Sequence, residues 1–183
     1  MHWLAEHLQL DILGGEPVFP QFKILGFLKR PLTLEGNRRG NHIRIYPYTV
    51  SSGQSSTTYT TVRTSIPNPN GLTFSFGKEG LFSKIGKSLG MQDIDTGDEH
   101  FDKIFRVKRN DESFIQQALL PEVKAKFLAS WTGHKAAGKI TLKEDLLSYD
   151  ETGIVRDEAA RDRIAAITEL ICDLGGIVQF YNR

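Results

Sequence analysis

The sequence predicts an α+β fold, with an antiparallel β-rich first half packed with helices and a smaller α/β second half. Three observations carry that prediction. Residues 22 to 76 alternate apolar and polar side chains with β-branched enrichment, broken by the turn-forming stretches "EGNRRGN", "SSGQSS" and "IPNPNG". Beyond residue 98 the texture changes to capped helical stretches around one hairpin. The chain then closes on an apolar stripe at helical spacing from about Asp157 to Leu174. At 183 residues it fits a single domain, 1–183, with a seam near residues 90 to 98 dividing a β-rich 1–92 from an α/β 93–183.

Taken in order, Trp3, Leu4, His7 and Leu8 recur at helical spacing until "GGEP" at 14 to 17 breaks the pattern. Strands are expected over about 21 to 28, 31 to 36, 42 to 50, 57 to 66 and 71 to 76. The run "KEGLFSKIGKSLG" gathers Leu81, Phe82, Ile85 and Leu89 on one helical face, with Gly90 suited to the cap. Ile104 to Lys108 reads as a strand. "DESFIQQALL" reads as a helix capped by Asp111, and "PEVKAKFLASW" as another with Pro121 in its first turn. A hairpin of "GKITLK" and "DLLSYD" follows. In the last helix Ile164, Ile167, Ile171 and Leu174 form the stripe, and Gly175 and Gly176 are expected to end it.

The acid-rich stretch "DIDTGDEHFDKIFRVKRND" resolves into a structural joint. Phe101 and Phe105 are one helical turn apart, while Phe105 and Val107 share one face of a strand. A turn of helix feeding a strand aims all three inward and leaves Asp98, Glu99 and Asp102 at the helix start, where N–H groups are free.

Composition excludes more than it selects. With 39% hydrophobic and 25% charged residues and a net charge of +1, the chain has the make-up of a soluble globular protein without a strongly charged partner. Cys172 stands alone, so no internal disulfide forms and a reducing cytosol suits the chain. No apolar run approaches the ~20 residues of a transmembrane helix, and "MHWLAEHLQL" lacks the features of a signal peptide. The expected location is cytoplasmic, with membrane association left open through a segment upstream of Met1.

Familiar site motifs fail on their spacing. Counted from Asp93 as an EF-hand loop, Gly97, Asp98 and Ile104 fall where a ligand, a glycine and a bidentate Glu are needed. In "GLFSKIGKS" five residues rather than four separate Gly80 from Gly86, and helical periodicity is already under way, so a phosphate loop is excluded. Cys172 sits inside the last helix beside Ile171 and reads as a small buried thiol. His2, His7, His42, His100 and His134 have no companion motif for zinc. Glu144, Asp145, Asp150 and Glu151 read as residues of turns and helix starts. Neither a cofactor nor a metal is expected, and no catalytic residue is assigned.

One constellation stands out as a candidate ligand-binding face. Placing a hairpin turn on Ser52 to Ser55 pairs Tyr48 with Tyr59, Tyr46 with Thr61 and Arg44 with Arg63, while Ile43, Ile45 and Val62 point to the core. Two arginines directly opposite repel unless an acid or anion sits between them. Arg38 and Arg39 extend the basic patch. Such a face suits a nucleic acid or an anionic lipid headgroup. The commoner arrangement, and the one favoured, is an ordinary wet face or one covered by the second half of the chain, with Arg44 or Arg63 paired to a carboxylate.

The string "GDEHFDKIFRVKRNDESFIQQALLPEVKAKFL", with Asp98, Phe101, Asp102, Phe105, Val107, Asp111, Leu119, Leu120 and Pro121 in place, resembles a segment of bacterial proteins known only as conserved domains of unknown function. Several of those are membrane-associated. "RRGNHIRIYPYTV" and "GLTFSF" are similar to their preceding β-rich part, which extends the resemblance over most of the chain. The resemblance brings no catalytic residues. The expected role is that of a non-enzymatic binding, regulatory or scaffold domain with a protein partner or an anionic ligand. The alternatives are a hydrolase or transferase whose site is assembled only by the fold, and a nucleic-acid or anionic-lipid binder using the basic and aromatic face.

Overall fold

The structure is a computed structural model that describes residues 1–15, 31–77, 92–131 and 138–183. The strand expected at 21–28, the helix expected from Lys78 to Gly90 and His134 lie outside those residues. In chain order the described elements are α1 (His2–Leu8), β1 (Asp11–Leu13), β2 (Thr33–Arg38), β3 (Asn41–Ser52), β4 (Ser55–Ser65), β5 (Phe74–Gly77), β6 (Gln92–Ile94), α2 (Glu99–Ile104), β7 (Arg106–Arg109), α3 (Glu112–Ala118), α4 (Pro121–Trp131), β8 (Gly138–Lys143), β9 (Leu146–Thr152) and α5 (Glu158–Tyr181). The fold is α+β. The strands form one sheet in the order β1-β2-β3-β4-β9-β8-β5-β7-β6, every neighbouring pair antiparallel. The outermost of the described strands, β1 and β6, are three residues each. β4 pairs with β9, and β5 lies between β8 and β7, so early and late parts of the chain interleave in the sheet.

Strand alternation gives the sheet one dry face. Ile43, Ile45 and Val62 are fully buried, as their spacing predicts, and Ile140, Phe76 and Val107 continue the same side across the sheet. The helices pack on that side. Ile164, Ile167, Ile171 and Leu174 of α5 lie in the core cluster with them. The joint at α2 is built as its spacing predicts: Asp98 accepts hydrogen bonds from the His100 and Phe101 amides, and Phe101, Phe105 and Val107 are buried. Asp102 turns back to accept from the Thr96 amide and hydroxyl. Asp111 and Asp157 cap α3 and α5 by accepting from Phe114 N and Ala160 N.

Two expectations are corrected. α5 does not end at Gly175 and Gly176 but continues to Tyr181. Gly175 marks a crossing instead, since a Cβ there would lie 2.5 Å from Asn41 Oδ1. A glycine inside a helix costs about 1 kcal/mol, and burial of Val178 with partial burial of Ile177 and Tyr181 offsets it. Asp150 and Glu151 belong to β9 rather than to a turn or helix start, and Glu151 is inside the protein. Arg163 of α5 donates to it from Nε at 2.8 Å and from Nη2 at 2.9 Å, and the Tyr149 hydroxyl donates to it at 2.6 Å. Arg163 and Glu151 are only 7% and 4% exposed. Burial, followed by the charge of Glu151, pushes the Tyr149 phenol far above its ordinary range. Gly138 has no room for a side chain because the Tyr149 ring lies 2.1 Å from where its Cβ would be.

α5 alone among the described helices has the length and hydropathy to cross a bilayer, with 56% of the relevant window buried against the rest of the protein.

Candidate functional site: the outer face of the sheet

The β3–β4 hairpin is the longest pairing in the sheet, running from Ser52 opposite Ser55 to Arg44 opposite Arg63. Its turn places Gly53 at φ 60, where an L side chain is strained, as the first central residue of a type II′ turn requires. Period-two alternation then aims Tyr46, Tyr48, Tyr59, Arg44 and Arg63 away from the helices. Tyr48 stacks on Tyr59 with ring centroids 5.3 Å apart. The guanidinium carbons of Arg44 and Arg63 both lie 5.5 Å from the centre of the Tyr46 ring, and that of Arg63 lies 5.2 Å from the Tyr48 ring.

Each arginine has its own carboxylate. Arg44 Nε is 3.1 Å from Glu35 on β2, and Arg63 Nη2 is 3.5 Å from Asp150 on β9. Glu35 and Asp150 thus flank the two cations from the neighbouring strands and relieve their mutual repulsion. His42 Nε2 also lies 3.3 Å from Glu35. The Tyr48 hydroxyl donates to Asp150 at 3.0 Å, and the Arg63 Nε donates to the Thr61 hydroxyl. The outcome is a cross-strand ladder of paired charges and fixed aromatic rings, with little positive charge left uncompensated.

Arg38 and Arg39 do not join this ladder. Both turn to the helix side, where Arg38 donates to Glu169 at 2.6 Å and to the Leu8 carbonyl, and Arg39 donates to Asp173 at 2.7 Å.

Two members of the ladder escaped the sequence reading. Glu35 had a signal: a two-residue turn on Arg39 and Gly40 sets Arg38 against Asn41 and therefore Glu35 against Arg44. Asp150 had none, because β9 reaches β4 from 88 residues away at the Thr61 to Tyr149 bond.

Burial and, next, the charge of Asp150 push the Tyr48 phenol up to about 12. Its neutral form is therefore favoured in the fold, a contribution complete below the ordinary tyrosine value near 10 and lost as pH rises through 12. Asp150→Asn is expected to lower that value while leaving it above the ordinary one. The difference in phenolate absorbance between each protein and its Tyr48→Phe counterpart measures it. An unchanged titration would show that Asp150 does not act on Tyr48.

Elsewhere, a cleft of about 470 Å³ opens beside α2, lined by Asp95, Glu99, Asp102 and Lys103. Its Asp102 is already occupied by Thr96. Among the described residues no group of three or more His, Cys, Asp or Glu side chains converges. Cys172 is buried, and burial followed by the charge of Glu169 pushes its thiol up to about 11, away from nucleophilic chemistry.

The fold and this face define an α+β protein with one helix-covered side of its sheet and one polar, aromatic side. No family model, curated protein or solved structure matches the chain.

Proposed function

We propose that this is a non-catalytic binding or scaffold domain that docks a protein partner on the outer face of its sheet. The observation that carries the reading is the Tyr48–Tyr59 stack, held in place by Asp150 and Arg63 on a sheet face. Tyrosine and arginine dominate the binding energy of protein interfaces, since they offer large contact area with few bonds to immobilise. Here their rotamers are fixed beforehand by neighbours, which reduces the ordering cost of association. The pairing of Arg44 and Arg63 with acids weighs against a nucleic acid or an anionic membrane, whose binding needs unmatched cations. The resemblance of residues 97 to 128 to bacterial domains of unknown function brings no catalytic residues to carry over, and a cytoplasmic setting suits the free thiol.

A photo-crosslinking amino acid at Tyr59, introduced in the native cells, tests it. The expected result is one discrete protein adduct that is absent when the crosslinker stands at Trp3. Against the purified partner, Tyr48→Ala should then weaken binding by about 2 kcal/mol or more. If position 59 gives no adduct, while single-stranded RNA or anionic vesicles bind with steep salt dependence through Arg44 and Arg63, the protein-partner reading fails.

A further inference from the structure

The helix side of the molecule carries a second, unrelated feature. A cavity of about 600 Å³ opens along the C-terminal half of α5, within the size range of small-molecule sites. Leu120, Ile177, Phe180 and Tyr181 form its walls. Leu120 is 51% and Phe180 72% exposed, so these apolar side chains face the opening. Tyr181 is fixed by hydrogen bonds from its hydroxyl to Asp111 and with Ser113, and its ring packs edge-on against Phe114. Gly176 leaves space between the walls, with no atom within 4 Å of the place where a Cβ would stand. The buried, protonated thiol of Cys172 lines the same cavity.

Arg39 and Asp173 are the charged side chains described at its rim, and they belong to a larger ion-pair cluster. Arg38, Arg39 and Lys126 surround Glu169 and Asp173, with Arg39 bonded to both carboxylates, Arg38 to Glu169 and Lys126 to Asp173. Among the described residues each of these three cations is paired, and two carboxylates shared by three cations leave the cluster net positive. Arg39 makes its bonds through Nη1, which leaves Nε and Nη2 to donate elsewhere.

The backbone at Arg39 points the same way. Arg39 and Gly40 are the two central residues of the β2–β3 turn, at φ 49 and φ 80. A type I′ turn of this kind favours asparagine or glycine at its first central position, and a long L side chain there is strained. The Asn41 side chain holds the turn against α5 by donating to the Arg39 and Cys172 carbonyls. An arginine is thus kept at a position that turn chemistry would give to asparagine, and its guanidinium reaches the rim of an apolar cavity.

We infer that this cavity is a binding site for a small amphiphilic monoanion, whose apolar body lies between Leu120, Ile177 and Phe180 and whose carboxylate-like head meets Arg39. The Nε and Nη2 donors that Arg39 keeps free of Glu169 and Asp173 favour an anionic head over a neutral or a cationic one.

The test is an NMR titration of the isotope-labelled protein with decanoate at concentrations where it stays monomeric, in parallel with decanol and decylammonium. Decanoate should give saturable shifts centred on Leu120, Ile177 and Phe180, about tenfold tighter than decanol, the difference made by one charge-assisted hydrogen bond. Arg39→Asn suits the turn and should leave thermal stability equal or higher while bringing decanoate down to the affinity of decanol. Gly176→Leu improves helix propensity, fills the cavity and should abolish binding of both. The inference is overturned if no saturable shifts occur, if decylammonium binds as well as decanoate, or if Gly176→Leu still binds. Perturbation of these residues by phosphatidylglycerol vesicles but not by monomeric decanoate would also overturn it, in favour of a membrane contact.

Discussion

Arg163→Met is expected to destabilise the protein by about 3–5 kcal/mol, because among the described residues it leaves the buried Glu151 carboxylate with the Tyr149 hydroxyl alone. The loss reports the stranded charge rather than the net worth of the ion pair. Two charges brought out of water give up hydration that their mutual attraction barely recovers, so a whole-group replacement behaves differently from a single one. Tyr149→Phe, Glu151→Leu and Arg163→Met combined remove every polar atom of the cluster. That triple variant should regain most of the stability lost by the single substitution. Denaturant unfolding of both proteins measures the contrast. A single-variant loss below about 1 kcal/mol would mean that water reaches Glu151 and that the pair is not truly internal.

Phe105→Ala is expected to cost about 3–5 kcal/mol, through lost transfer energy and a cavity that its neighbours cannot close. Phe105 is buried at the end of α2, with its ring 4.7 Å from Phe101 and 5.8 Å from Phe127, whose own ring stands edge-on to Phe101 and Phe76. Four aromatic rings from three helices and strands thus share one volume, and none is free to collapse into the gap. Phe180→Ala is the internal control. With that ring 72% exposed, its truncation should change stability by no more than about 0.5 kcal/mol. Equal losses at the two positions would sink the description of Phe105 as the keystone of the joint.

The hairpin of β3 and β4 was legible because two constraints meet there. A glycine-bearing turn fixes the register, and Ile43, Ile45 and Val62 can satisfy burial on only one face. The caps at Asp98, Asp111 and Asp157 were legible because a helix start is a local event. Glycine was misread in α5 for the opposite reason: whether Gly175 ends a helix or lets Asn41 approach depends on a residue 134 positions away. The arginines of the candidate face were found from local spacing. Their fate was not, since the acids that hold them come from other strands, and alternation says which side a residue faces without saying who waits there. Arg38 and Arg39 were grouped with Arg44 by nearness in sequence, yet the tight turn at Arg39 and Gly40 sends them to the helix side.

The interleaved strand order has a consequence on the ribosome. When Gly77 has been synthesised, β4 and β5 each present an unpaired edge, since their partners β9, β8 and β7 are still to come. At about 5–20 residues per second, the interval until Thr152 follows lasts roughly 4–15 s. During that time β4 offers the donors and acceptors of an 11-residue strand to any passing chain. Its run of serine and threonine from Ser55 to Thr61, interrupted only by Tyr59, keeps that nascent edge polar. Exposure of this edge ends only when β9 has been made and pairs with it.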